Sequence, residues 1–377
     1  MDCKDDTIVG VNKLIRLNPS TGQDSPSARS GHRAVANETH MWVLGGYNPG
    51  NVNTPLFREI WRLNIATGQW NLMQCEGDMP GELASHSTII DNSHMLVFGG
   101  TGYPFGINSS NKLSVCNLRS GVWRELKCDG NLPDEKYGQA MTLYKRKLIV
   151  HGGTSGYFYN TDLHKLNLKT LKWNRIIPNN VFSEMPAERY RHEIALFQDN
   201  LIILGGGTSN SVNNLRILHS FNFKTTRWTC RVTKPDSLQN PGYPASRRCH
   251  GCVQLQDEAV ISGGYDGIRI TGDVWKINLR TMQWTKITDM IEPVYFHSAT
   301  VTPDGRMYIF GGVSCIEPNI RTASCYRMWL RLPSLQTLCW QKLLNSFPQL
   351  KKLPHKKLIE LGVNRSLTSQ LPYPVGA

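Results

Sequence analysis

Six short apolar runs, each closed by a Gly-Gly pair, punctuate the chain: MWVLGG, MLVFGG, LIVHGG, LIILGG, AVISGG and MYIFGG. The pairs fall at 45–46, 99–100, 152–153, 205–206, 263–264 and 311–312, spaced by 54, 53, 53, 58 and 48 residues. Apolar runs of this length bounded by glycine read as buried strands, and their regular recurrence marks a repeat architecture.

Two polar landmarks keep register with the runs. Downstream, Asn-x-x-Thr/Ser-x-x-Trp occurs five times, from Asn64 to Trp70, Asn117 to Trp123, Asn167 to Trp173, Asn222 to Trp228 and Asn278 to Trp284. Asn with Thr or Ser suits a tight turn, and the Trp then opens a strand. Upstream, thirteen residues before the first Gly in five units and fourteen in the last, stand His32, His86, Gln139, His192, His250 and His297. Each unit therefore holds four strands: one from the His position, one ending in Gly-Gly, one before the Asn turn and one from the Trp.

RLNPSTGQ at 16–23 copies the RLNIATGQW of 62–70 without its Trp, and the sixth unit has LPSLQTLCW where the Asn turn belongs. The expectation is that the sixth unit lacks a fourth strand and that the N-terminus closes the ring. Residues 16–23 would supply the turn between third and fourth strands, with 12–17 adding strand pairing before it. Stitching of this kind protects an edge that would otherwise be exposed.

Beyond the repeats the period changes. Leu335, Cys339, Leu343 and Phe347 recur every four residues, with Leu338 beside them, and Pro348 follows. This predicts one helix with an apolar stripe over 334–347. A second helix is expected from Pro354, with Leu358 and Leu361 on one side, and a third over 366–371.

Composition fits a turn-rich chain: 33 Gly and 20 Pro in 377 residues. No run of 18 apolar residues occurs, so no membrane span is expected. The start, MDCKDDTIVG, has no apolar core of signal-peptide type. An intracellular chain, cytoplasmic and nuclear, with its ten cysteines reduced is the expectation. The net charge of +13 favours acidic partners. No run of five Lys or Arg occurs, which counts against nucleic acid.

The three landmarks in register resemble kelch repeats, whose sheets are the blades of a β-propeller. The fold expected is all-β, a six-bladed kelch propeller over residues 1–333 followed by a short C-terminal α-helical segment over 334–377. Ser334, Leu335, Cys339 and Leu343 resemble the elongin-binding box of cullin-RING substrate receptors, in which Leu335 would plug an apolar pocket. The following LPHKKL is only a partial cullin-2 box. The stretches ARSGH, PLFREIWR, YGQAM, TDLHKLNL, ERYRHEIA and EPVYFHSATVTPDGRMYIFGG extend the resemblance to one family of kelch-domain substrate receptors. That resemblance implies a non-catalytic receptor of a cullin-2 ubiquitin ligase, partnered by elongin B/C and by cullin-2 with its RING subunit. It implies binding of protein C-termini that end in Gly after a small residue, Pro or Trp, and of alanine tails. A role in stress-kinase signalling through a protein phosphatase is the alternative it carries.

The residues preceding the His positions ring one mouth of the central channel: RSGH, LASH, KYGQ, RYRH, RRCH and VYFH. Arg189, Arg191, Arg247 and Arg248 come from two adjacent units, with Tyr137, Tyr190, Tyr295 and Phe296 as aromatic walls. The loops after Gly-Gly add Tyr47, Tyr103, Tyr157, Tyr159 and Tyr265. Arginines beside aromatics in a concave site suit a carboxylate on a short apolar peptide.

An enzyme is the main rival class, since some kelch propellers are copper oxidases. The histidines, however, recur one per unit at the repeat itself, which is what packing demands. Cys249 and Cys252 lack a second pair, and strand geometry would point them apart. GGGTSN at 205–210 lacks the Gly-Lys-Ser/Thr of a phosphate loop. No cofactor or metal is expected. A plain scaffold is the third class, and the helical box separates it from a ligase receptor.

Overall fold

The computed structural model describes residues 10–19, 22–179 and 184–371. Six antiparallel sheets, each of four principal strands, are arranged around an axis as a propeller. The first blade runs Arg33–Ala36, His40–Leu44, Ile60–Asn64 and Trp70–Leu72 in spatial order from axis to rim. Blades two to five repeat it, with first strands Ser87–Asp91, Ala140–Tyr144, Glu193–Phe197 and Gly251–Leu255. The Gly-Gly loops share what we term the upper face. The first hairpins and the Asn turns share the lower face.

The Asn turns form because one side chain does the work of several backbone partners. Asn64 Oδ1 accepts from the amides of Ala66 at 3.0 Å and Thr67 at 2.9 Å. Asn222 and Asn278 repeat the pattern at 3.0 Å. The tryptophans that follow are buried between blades; Trp123, Trp173, Trp228 and Trp284 are among the largest fully buried side chains.

The histidines explain the Gly-Gly pairs. A Cβ on the first Gly would stand 2.7 Å from the next blade's imidazole at Gly152 (His192) and Gly311 (His32). A Cβ on the second Gly would meet its own blade's His, at 2.5 Å for Gly206 and His192. At these positions the pair is a socket for two successive histidines, and hydrogen bonds from His32, Gln139 and His192 tie their blades to the preceding ones. His32 Nε2 lies 3.0 Å from Phe310 O, Gln139 Nε2 donates to Phe98 O at 2.8 Å, and His192 Nε2 lies 2.9 Å from His151 Nδ1.

The sixth blade is completed from the other end of the chain. Ser298–Val301, Arg306–Phe310 and Cys325–Trp329 are joined by Ile15–Leu17, with Ile15 opposite Arg327 and Leu17 opposite Cys325. This corrects the expected role of the 16–23 copy. Ile15–Leu17 is itself the fourth strand, not the approach to a turn before it. In the first blade the same Arg-Leu-Asn sequence ends a third strand flanked on both sides. At residues 15–17 it pairs on one side only and forms the outer edge of the sixth blade. Leu14 is buried against Tyr326 and Met328.

The tail forms helix α1 (Leu335–Ser346), a 3-10 turn (Pro348–Lys352), helix α2 (His355–Glu360) and helix α3 (Arg365–Thr368). Ser334 caps α1, its hydroxyl accepting from Thr337 N at 3.1 Å. Trp340, Leu344, Leu358 and Leu371 make a small core of their own, with Ala66 of blade one against it. Asn64 Nδ2 donates to Gln370 O at 3.1 Å, so the tail is seated on the lower face. Leu361, expected beside Leu358, ends α2 and is exposed. No helix among the described residues is long and apolar enough to cross a membrane.

Candidate functional site

Six residues, one before each His or Gln position, close the upper mouth with a ring of backbone hydrogen bonds. Gly31 N donates to Phe296 O at 2.9 Å, Ser85 N to Gly31 O at 2.7 Å and Gly138 N to Ser85 O at 2.8 Å. Arg191 N donates to Gly138 O at 2.7 Å, Cys249 N to Arg191 O at 3.0 Å and Phe296 N to Cys249 O at 2.9 Å. All six are left-handed, with φ between 52° at Arg191 and 68° at Gly31. Four of them are not glycine. That conformation costs ~1–3 kcal/mol at such residues and is held only where the surroundings enforce it.

Above the ring lies a cavity of about 180 Å³, lined by Gly31, Ser85, Arg191 and Phe296 from the ring and by Ser30, Tyr47, Phe105, Tyr295 and Arg321 around it. The Arg191 side chain lies across the mouth. Its Nη2 donates to Ser85 Oγ, and its guanidinium carbon sits 4.7 Å from the centre of the Phe296 ring. Among the described residues its buried Nε finds no hydrogen-bond partner and its guanidinium forms no ion pair. Burial pulls its pKa down to about 10, so it remains a cation at neutral pH. A buried cation with an unmet donor beside a cavity has the chemistry to accept an anion.

The predicted site residues divide into three groups. Arg191 and Tyr295 line the cavity. Tyr190, Tyr159 and Arg248 are not among its lining residues. The Tyr159 and Tyr190 rings are 5.3 Å apart. Arg248 turns away to Thr208 O and, at 3.3 Å, Ser211 O. Tyr157 is 82% exposed and is likewise not among the lining residues. Arg189 and Arg247 do not reach the cavity, which corrects their expected role. Both are buried beneath their own Gly-Gly turns, donating at 3.0 Å to Gly205 O and Gly263 O respectively. Arg247 also makes a bidentate pair with Asp273. Arg29 repeats this role in blade one, with Glu59 as its partner. An Arg three residues before the His is thus a blade clamp.

Phe105 and Arg321 are cavity residues that the sequence reading missed, and Arg321 is the charged one. It lies in the loop after the sixth Gly-Gly pair and donates from Nε to Ser30 Oγ at 3.0 Å and Tyr47 O at 3.2 Å. Surveying those loops for cations as well as tyrosines finds it. Aromatic contacts link the walls: Tyr47 with Phe105 at 5.5 Å, Phe105 with Tyr137 at 5.6 Å and Tyr265 with Tyr295 at 5.5 Å.

The tail stripe is placed separately. Leu335 is 76% exposed, Cys339 is exposed and Leu343 is half-buried against the tail core. The helix packs inward through Trp340 and Leu344, and of its predicted stripe Leu335, Cys339 and Phe347 are exposed. Whether the chain's own end, PYPVGA, occupies the mouth is a question that falls on residues 372–377, outside the described residues.

The KLHDC2/KLHL20/DRC7 Kelch-repeats domain matches residues 2–206 and 180–353. Kelch domain-containing protein 10 of Xenopus laevis is 50% identical over 359 residues, covering 93% of this chain and 87% of that protein. The Homo sapiens protein of the same name is 48% identical over 369 residues, covering 96% and 82%. Kelch domain-containing protein 2 of Bos taurus is 25% identical over 325 residues, covering 76% of each chain. With its landmarks, its propeller and similarity over most of both chains in agreement, the chain belongs to the kelch domain-containing protein 10 family.

Proposed function

We propose that this chain is the substrate-recognition subunit of a cullin-2 RING ubiquitin ligase, binding protein C-termini in the upper mouth and joining the ligase through α1. The observation that carries this reading is Arg191: a desolvated guanidinium with an unmet Nε donor at a small, aromatic-walled cavity. At about 180 Å³ the cavity is below the ~300–1,000 Å³ typical of pockets for drug-sized ligands. It admits the end of a chain of small residues rather than a large side chain, which suits Gly-ended and alanine-tailed C-termini. A terminal carboxylate supplies the counter-charge for Arg191, and Arg321 adds a second cation at the wall. Leu335 and Cys339 present an apolar strip to a groove such as that of elongin C. Substrate is thereby held on the upper face while the ligase is recruited from the lower one.

The test compares a peptide ending in free Ala-Gly with the same peptide amidated, at ~0.15 M salt, where long-range attraction to the basic surface is screened. The acid is expected to bind and the amide to lose most of its affinity. Equal binding of the two removes the C-terminus reading.

A further inference from the structure

The lower face carries a second concavity, between blades two and three. It has a volume of about 1040 Å³ and is lined by Asp91, Asn92, Leu143, Lys145, Arg146, Lys147, Asn167, Leu168 and Lys169. Four cations face one carboxylate there, a balance of +3. Lys145 is 2.7 Å from Asp199, but Lys224 shares that carboxylate at the same distance. Among the described residues, Arg146, Lys147 and Lys169 have no ion-pair partner.

A cluster of exposed cations is ordinarily a solvated surface. The backbone argues otherwise here. Lys145 and Arg146 are the two-residue loop of the hairpin whose flanking pair is Tyr144 and Lys147. Both are left-handed, at φ 47° and 60°. Such loops favour Asn-Gly because only short or absent side chains tolerate positive φ twice. The corresponding loops of blades two, four and five are Asn92 and Ser93, Gln198 and Asp199, and Gln256 and Asp257, with one left-handed residue each. Blade three therefore places two long cations where the backbone resists them, and places them where blades four and five carry an acid. Strain of this kind is grounds for a functional hypothesis.

We propose that this groove docks an acidic peptide segment of a partner protein, its carboxylates interspersed with apolar residues. Arg146, Lys147 and Lys169 take the carboxylates. Leu143 and Leu168, both half-buried, take the apolar side chains. The absence of aromatic residues from the lining disfavours single-stranded nucleic acid, which needs stacking platforms. The groove is on the face that seats the C-terminal helices, opposite the cavity above the ring, so both faces can be occupied together.

The test uses three labelled probes: a peptide of alternating Glu and Leu, the same peptide with Gln for Glu, and oligouridylate. Both peptides are amidated so that neither offers a C-terminal carboxylate to the upper mouth. Anisotropy at ~0.15 M salt is expected to give saturable binding of the Glu peptide, with at least ~10-fold weaker binding of the Gln peptide and of the RNA. Arg146→Gly with Lys169→Ala should reduce Glu-peptide affinity at least ~10-fold. It should leave discrimination between free and amidated Ala-Gly ends untouched, and keep or raise the thermal midpoint, because Gly relieves the left-handed strain. The proposal is overturned if the wild-type chain does not bind the Glu peptide, if the Gln peptide binds equally, or if RNA binds as well as the Glu peptide. Unchanged Glu-peptide affinity in the double variant also overturns it, by moving binding elsewhere on the basic surface.

Discussion

The guanidinium of Arg191, in blade four, passes over blade three to reach the hydroxyl of Ser85 in blade two. It can do so because the intervening ring residue is Gly138. A Cβ there would stand 2.9 Å from the Tyr190 ring and 3.4 Å from Arg191 Cγ. Arg191 is left-handed and buried, two features that cost stability. Arg191→Gly is therefore expected to keep or raise the thermal midpoint while weakening a free-acid Ala-Gly peptide by ~2–5 kcal/mol, about 30-fold or more. Calorimetry and peptide titration on the same variant check both halves. A variant that binds normally would move the carboxylate site away from Arg191.

How far the sequence reveals this site depends on a two-residue offset. The His and Gly-Gly register places Arg189 and Arg191 at one mouth, and both look like ligand arginines. The left-handed backbone at Arg191 aims its side chain across the axis. Arg189, two residues earlier, turns back under its own Gly-Gly carbonyl. Composition cannot distinguish them, but the repeat can, since Arg29 and Arg247 occupy the Arg189 register with the same carbonyl contact. The blade count was legible because landmarks recur in register. The exact closing strand was not, because a three-residue edge strand is chosen by the vacancy it fills rather than by its own pattern. Likewise α1 has two apolar edges, and the sequence does not say which one the fold consumes.

Ring closure through Ile15–Leu17 predicts that the N-terminal segment is structural. Deleting residues 1–19 removes Leu14 from the core between blades five and six and bares Cys325–Trp329 as an open edge. Burying one Leu is worth ~1.5–3 kcal/mol, and the strand pairing adds to it. The loss should reach several kcal/mol of the ~5–15 typical for a folded protein. Scanning calorimetry should show a lowered midpoint, and light scattering should show association through the bared strand. An unchanged midpoint would mean that the edge is closed in another way.

The two faces of α1 should separate recruitment from folding. Leu335 and Cys339 are exposed, so changing both to Ala should leave the thermal midpoint within about 1 °C while abolishing capture of elongins B and C. Trp340→Ala acts on the buried side, where truncating an aromatic costs ~3–5 kcal/mol. That exceeds what so small a core sustains, and the tail should come off the Asn64 turn. Hydrogen exchange should then show lost protection over 335–371 with the blades still protected. Elongin capture surviving the Leu335 and Cys339 changes would relocate the box.

The interblade histidines make the propeller sensitive to acid, with a sign that follows from their burial. Desolvation holds His32, His151, His192 and His250 well below their ordinary pKa, and brings His86 to about 3 and His297 to about 4. Neighbouring arginines push in the same direction, Arg189 on His151 and His192, Arg247 on His250. In the unfolded chain each would titrate near ~6.5. Below that pH the unfolded state binds protons that the folded state refuses, so stability falls as pH falls. Each such group costs up to ~1.4 kcal/mol per pH unit until its folded pKa is reached. Six acting together rival the whole stability of a typical domain within one to two pH units. Asp199, held low by Lys145 and Lys224, adds to the loss only at more acidic pH, below the ordinary carboxylate range. The thermal midpoint should therefore be level above pH ~7 and drop steeply between pH ~6.5 and ~5. Replacing the buried His86 by Gln, the residue blade three uses at that position, should make the drop shallower by about one proton. A midpoint that holds level down to pH 5 would show that these imidazoles accept protons in the folded ring, and that burial between blades does not keep them neutral.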